Sequence, residues 1–249
     1  MRILLFYIFV LSLFQSTTLA ESQVNSDKMK HHIYLLIGQS NMAGRAKYSD
    51  KEKEVIPNAF LLNDKNEWTG ANNPLNRFST IRKDIKMQKM NPGYYFAKTM
   101  LSKQKDISIG LVVNAKGGSR ISQWKKGSQF FKGAVSRTKA AMKTGTLKGI
   151  LWHQGESDHT NDKYLQSLET FVKDLREALG QGDVPFVAGE IKQEVKLIND
   201  QLNKLPSVLK NTDVVSSKGL KTYDKWHFDS TSVKTFGQRY AETMLKLQK

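Results

Sequence analysis

The chain has 249 residues, with 39 Lys and Arg against 23 Asp and Glu, a formal net charge of +16, and 10% aromatics. That length suits one large domain or two small ones, and the aromatic share argues against a disordered chain despite the charge. The absence of cysteine excludes a disulfide scaffold, an iron–sulfur cluster, a thiolate zinc site and a cysteine nucleophile.

Residues 1–20 read as a secretory signal. Met1-Arg2 supplies a positive start, residues 3–14 form an apolar run broken only by Ser12, and Ala20 offers a small residue for cleavage. The run is too short for a bilayer, which needs roughly 20 apolar residues. The expected location is therefore secreted, extracellular or periplasmic, with no membrane attachment after cleavage. Residues 21–31 are polar and read as a flexible leader. No repeat, low-complexity tract or linker divides the rest, so 32–249 reads as a single domain.

Within it, apolar runs at 33–37, 107–113, 149–152, 185–188 and 213–216 predict buried strands. Between them lie helical patterns. Tyr164, Leu168, Phe171, Leu175 and Leu179 recur at spacings of three and four before Gly180, and Phe236, Tyr240, Met244 and Leu247 do the same near the end. Residues 94–101 and 130–142 are weaker helix candidates. Strands alternating with helices predict a three-layer α/β fold. The stretch 45–91 breaks the rhythm; a long connection leaving a strand end is either a binding loop or surface decoration.

Four constellations carry chemistry. GQSNMAG (38–44) places Ser40 at the carboxyl end of the first strand, where open α/β sheets bind ligands. It is not a G-x-S-x-G elbow, since Met42 fills the second glycine position, and Ser40 could equally cap a helix. In DKWH (224–227), Asp224 lies three residues before His227, close enough to hold Nδ1 and leave Nε2 free as a base. A surface turn, or a metal site using His227 with Asp224 or Asp229, remains open on spacing alone. In WHQGESD (152–158), Gln154 offers an amide N–H to a developing oxyanion, Glu156 and Asp158 are acids at the same strand end, and His153 reads as packed. In NAKGGSRISQW (114–124), the paired glycines suit half of an oxyanion hole or a phosphate nest.

Taken in order, IYLLIGQSNMAGR, NPGYYFA, LVVNAKGGSRISQW, ILWHQGESD, YDKWHFDS and GQRYAETML span roughly 33–245. The string resembles the SGNH hydrolase superfamily, and within it the sialate O-acetylesterase-like group that includes family 6 carbohydrate esterases such as acetylxylan esterases. The resemblance implies a flavodoxin-like, five-stranded parallel sheet in the order 2-1-3-4-5. It also implies Ser40 as nucleophile, His227 as base and Asp224 as the acid behind it. The oxyanion hole would comprise the Ser40 N–H, the Gly118 N–H and the Gln154 side chain. In some related esterases the acid is the carboxylate matching Glu156. Gln39 and Asn41, flanking Ser40, are candidate substrate contacts. So is Arg120, which stands where relatives often carry a small residue and which suits an acidic sugar.

The expected activity is a serine-dependent acetylesterase acting on acetylated carbohydrate, acidic sugars included, with no metal or organic cofactor. Its rivals are a non-catalytic glycan-binding module on the same fold and a short-chain lipid esterase. A nucleic-acid partner is not expected: the lysines that raise the pI to ≈ 9.8 are scattered, without interleaved aromatics.

Overall fold

The computed structural model describes residues 31–249. The expected signal and residues 21–30 of the leader lie outside the described residues; residue 31, expected to end the leader, is instead buried and begins the first strand. In chain order the elements are β1 (His31–Gly38), α1 (Ser40–Ala43), β2 (Ala59–Leu62), β3 (Trp68–Gly70), α2 (Gly93–Lys103), β4 (Ile109–Ala115), α3 (Gln129–Ala141), β5 (Gly145–His153), α4 (Tyr164–Leu179), β6 (Phe186–Gly189), α5 (Lys196–Leu202), α6 (Leu205–Val208), β7 (Thr212–Val215) and α7 (Ser230–Leu247).

The strands form one sheet in the order β3-β2-β4-β1-β5-β6-β7. The five strands expected from the apolar runs are β4-β1-β5-β6-β7, parallel and in the 2-1-3-4-5 order. The expectation of five all-parallel strands is nevertheless corrected: the sheet has seven and is mixed. The two extra strands come from the long 45–91 connection. Strand β2 joins β4 in parallel, and β3 folds back antiparallel onto β2. The Trp68 indole N–H donates to the Thr144 hydroxyl at 2.8 Å and ties this hairpin to the start of β5.

Successive side chains of a strand point to opposite faces, and β1 is apolar on both. Ile33, Leu35 and Ile37 pack with Phe131 of α3 and with Leu168, Phe171 and Leu175 of α4. Tyr34 and Leu36 pack with Phe96 and Met100 of α2 and with Phe236, Tyr240 and Met244 of α7. Two cores, one on each face of β1, make the three layers. Helix starts use side-chain caps: Ser128 accepts the Phe131 N–H at α3, and Asp229 accepts the Ser232 N–H at α7. Among the described residues no helix is long and apolar enough to cross a membrane.

The carboxyl ends of the three central strands are in register, Gly38 beside both Ala115 and His153. The three loops that follow therefore emerge side by side. They carry three of the four constellations, and the turn before α7 brings the fourth.

Candidate active site

Gly38 ends β1 at φ +136°, and a Cβ there would lie 2.1 Å from the His153 carbonyl oxygen. Only glycine permits both this backbone and this approach. The exit is laced to its neighbours: the Gln39 N–H donates to His153 O at 2.8 Å, and the Lys116 N–H donates to Gly38 O at 3.0 Å. Ser40 then opens the one-turn helix α1 and is 6% exposed.

A cavity of about 250 Å³ lies over these strand ends. Gln39, Ser40 and Arg45 line it from the first loop, Gly117 and Gly118 from the second, Glu156 and Ser157 from the third, and Trp226 and His227 from the turn before α7. Lys83 and Met87 of the long connection complete the wall. Gly118, at φ +75°, is exposed, and Gly117 sits 3.8 Å from Ser40 Cβ measured from the position its own Cβ would take. A larger depression of about 530 Å³ around His32, Lys148 and Asp183 contains none of these groups.

His227 Nδ1 lies 2.7 Å from Asp224 Oδ2, and Asp224 Oδ1 accepts the N–H groups of Trp226 and His227 at 2.8 and 2.7 Å. Partial burial pushes the Asp224 carboxyl up, but the imidazole and the two N–H donors outweigh it, so its pKa falls below the ordinary value. Nδ1 thus carries the proton toward Asp224, which leaves Nε2 as the basic nitrogen. Ser40 and His227 meet across the cavity, with no hydrogen bond between them among the described residues. Asp229 is occupied as the α7 cap, and no group of three His, Asp or Glu among the described residues is arranged to hold a metal.

The structure separates the remaining candidates. Glu156 does not touch the Asp224–His227 pair; its Oε1 accepts from Asn41 Nδ2 at 2.6 Å and lies 3.3 Å from His153 Nε2. Burial raises the Glu156 pKa, and His153 with Asn41 more than offsets this, leaving the carboxyl below its ordinary value. His153 is therefore packed, as its place next to Gln154 implied, but it also pairs with the acid.

Gln154 is corrected more sharply. Its Nε2 faces three acceptors, Gln39 Oε1 at 3.0 Å, Ser119 O at 3.1 Å and Asp158 Oδ2 at 2.6 Å, and the residue is fully buried below the cavity. Two protons already directed at three acceptors leave no free donor for an oxyanion. The Oε1 of Gln39 is likewise used internally, accepting from Gln154, Gly155 N and Ser157 N. Asn41 is buried, with its amide bonded to protein groups, and Arg120 is exposed and absent from the cavity wall. As substrate contacts, Asn41 and Arg120 are out of place.

Sequence reasoning missed the cavity's two cationic side chains, Arg45 and Lys83. Arg45 Nη1 is anchored on the carbonyls of Gly44 and Met87 at 2.6 and 2.9 Å. The signal for it was present, since Arg45 directly follows the Ser40 motif.

This geometry can be set beside known proteins. The model of the family described as carbohydrate esterase, sialic acid-specific acetylesterase, matches residues 30–246. A probable carbohydrate esterase of Arabidopsis thaliana is 30% identical over 250 residues, 90% of this chain and 94% of that one. A crystal structure of an Arabidopsis thaliana protein superposes with a TM-score of 0.78 at 27% identity, covering 86% of this chain and 97% of the other. The crystal structure of NanS shares the fold, with a TM-score of 0.71 at 16% identity, over 89% of this chain and 98% of that one. With the family model matched over nearly the whole described length, the chain belongs to the sialic acid-specific acetylesterase family of carbohydrate esterases.

Proposed function

We propose that this protein is a secreted serine esterase, a single domain that begins with β1 and runs to 249, that removes O-acetyl groups from glycans through an acyl-enzyme. The observation that carries the reading is the Asp224-oriented His227 on the wall of the cavity that holds Ser40. Ser40 Oγ attacks the acetyl carbonyl while His227 Nε2 takes its proton. The tetrahedral oxyanion is held by the N–H groups of Ser40 and Gly118. Ser40 supplies the first N–H of a helix, which has no intrahelical acceptor, and no backbone carbonyl among the described residues accepts from Gly118. Collapse expels the sugar oxygen, which His227 protonates. Water then attacks the acetyl-serine with His227 again as base, releasing acetate and restoring Ser40. No cofactor enters the scheme.

Arg45 and Lys83 favour a sugar that carries a carboxylate, since both place positive charge on the cavity wall. The test is acetate release from a panel of acetylated neutral and acidic glycans, with p-nitrophenyl acetate as reference and Ser40→Ala as control. Turnover abolished in folded Ser40→Ala is the expected result. Retention of more than a few per cent removes Ser40 as nucleophile. No turnover of any ester by folded wild-type protein favours the glycan-binding module, and faster cleavage of longer acyl chains favours the lipid esterase.

A further inference from the structure

His227 is held in place by more than Asp224. Asn41, the residue after Ser40, donates from Nδ2 to the carbonyl oxygen of Trp226 at 3.0 Å, and its Oδ1 accepts the N–H of Phe228 at 3.2 Å. One carboxamide therefore grips the backbone on both sides of His227, from the helix that begins with Ser40.

A carboxamide grips this way in only one of its two orientations. Rotated by 180°, its oxygen would face the Trp226 carbonyl and its NH₂ would face the Phe228 N–H, opposing like to like in both places. A third contact selects the same orientation more strongly: the second Nδ2 proton goes to Glu156 Oε1 at 2.6 Å. An ionised carboxylate only accepts, so it admits the NH₂ and rejects the oxygen. Glu156 is in turn held by His153, whose ring is wedged edge-on against Phe228 and Phe236 at centroid distances of 5.9 and 5.2 Å. Both residues are buried, and a buried carboxylate is costly to desolvate, so a role in fixing geometry accounts for the acid better than a role in holding the fold.

We propose that Asn41 is a positioning residue for His227, and that the His153–Glu156 pair acts on the base indirectly, by fixing the orientation of the Asn41 amide. This rests on the assignment of His227 as base. It gives the WHQGESD acid a task distinct from that of Asp224, and it joins three of the four constellations through one side chain.

The test pairs a spectroscopic readout with a kinetic one on the full chain. With ¹⁵N-labelled histidine, the His227 Nδ1 proton should exchange with water faster in Asn41→Ala, and to a smaller degree in the near-isosteric Glu156→Gln. With p-nitrophenyl acetate, Asn41→Ala should lower kcat by about 10- to 100-fold with KM within about twofold, the pattern of a misplaced catalytic group. Adding Glu156→Gln to Asn41→Ala should cost nothing further, because the acid acts through the amide. Losses that multiply in the double variant overturn the indirect route. An unchanged His227 proton in folded variants overturns the positioning role altogether. If Asn41→Ala does not fold, Glu156→Gln carries the spectroscopic arm alone, with the same overturning result. If the wild type turns over no ester, the esterase assignment fails while the spectroscopic arm still decides whether Asn41 holds His227.

Discussion

At the scale of single residues, the two carboxylates near His227 make a clean comparison. Asp224 touches the imidazole and fixes its tautomer, whereas Glu156 reaches it only through Asn41. Removing the acid of such a dyad by amide substitution costs about 10⁴ in kcat in a serine protease. Asp224→Asn should therefore lose at least ten times more activity than Glu156→Gln, measured at neutral pH on folded variants; equal losses would place both carboxylates on His227. The placement of Ser40 and of the Asp224–His227 pair was legible in the sequence because backbone position decides it: a strand end for the serine, a three-residue turn for the carboxylate and imidazole. Gln154, Asn41 and Arg120 were not. Whether an amide beside a strand end turns into a cavity or into the protein depends in part on acceptors that lie distant in sequence, Gln39 for Gln154 and Trp226 for Asn41, and no local pattern encodes that choice.

At the scale of elements, the strands of 33–37 and its four partners were legible because burial on both faces makes their apolar runs continuous. The hairpin β2–β3 was not, because its strands are four and three residues long and sit in a stretch rich in Asn and Lys. The short helices α5 and α6 were missed for the same reason, at seven and four residues. The long connection is also tied to α7 by one buried carboxylate. Glu52 lies 2.7 Å from Lys234 Nζ and accepts from the Ser49 N–H and hydroxyl and from the Tyr95 hydroxyl. The Lys234 contact foremost, then Ser49 and Tyr95, lower its pKa from 4.5 to about 2, against the opposing effect of burial. A carboxylate whose folded pKa is depressed contributes stability that is complete above its unfolded value and is lost as pH falls toward the folded one. The Tm should therefore fall as pH drops from about 4.5 to about 2. In thermal scans, Glu52→Gln should be less stable than wild type at pH 7 and should show a shallower decline across that window. Parallel curves would remove this cluster as a source of acid sensitivity.

At the scale of the whole molecule, the net charge of +16 meets a cavity whose own charged wall includes Arg45 and Lys83. Long-range attraction should raise kcat/KM for acetylated uronic or sialic acid substrates at low salt. The gain should fade as the screening length shrinks from about 30 Å at 0.01 M to about 10 Å at 0.1 M. A neutral acetyl ester should show no such dependence. If both respond alike, the charge serves solubility or surface adhesion and not substrate capture.

The Asn41–Phe228 bond spans 187 residues of chain, and this separation bears on when the proposed site is assembled as the chain folds. Ser40 directly follows the central strand β1, whose neighbours β4 and β5 come later in the chain, and His227 precedes only α7. A chain formed as far as β7 already holds every strand of the sheet and the proposed nucleophile, yet not the proposed base. Contacts of such long range are the slowest to form, since closing the loop costs entropy before the contact returns anything. On the proposed assignment the site is thus completed late, and a chain still incomplete at its carboxyl end carries Ser40 without His227.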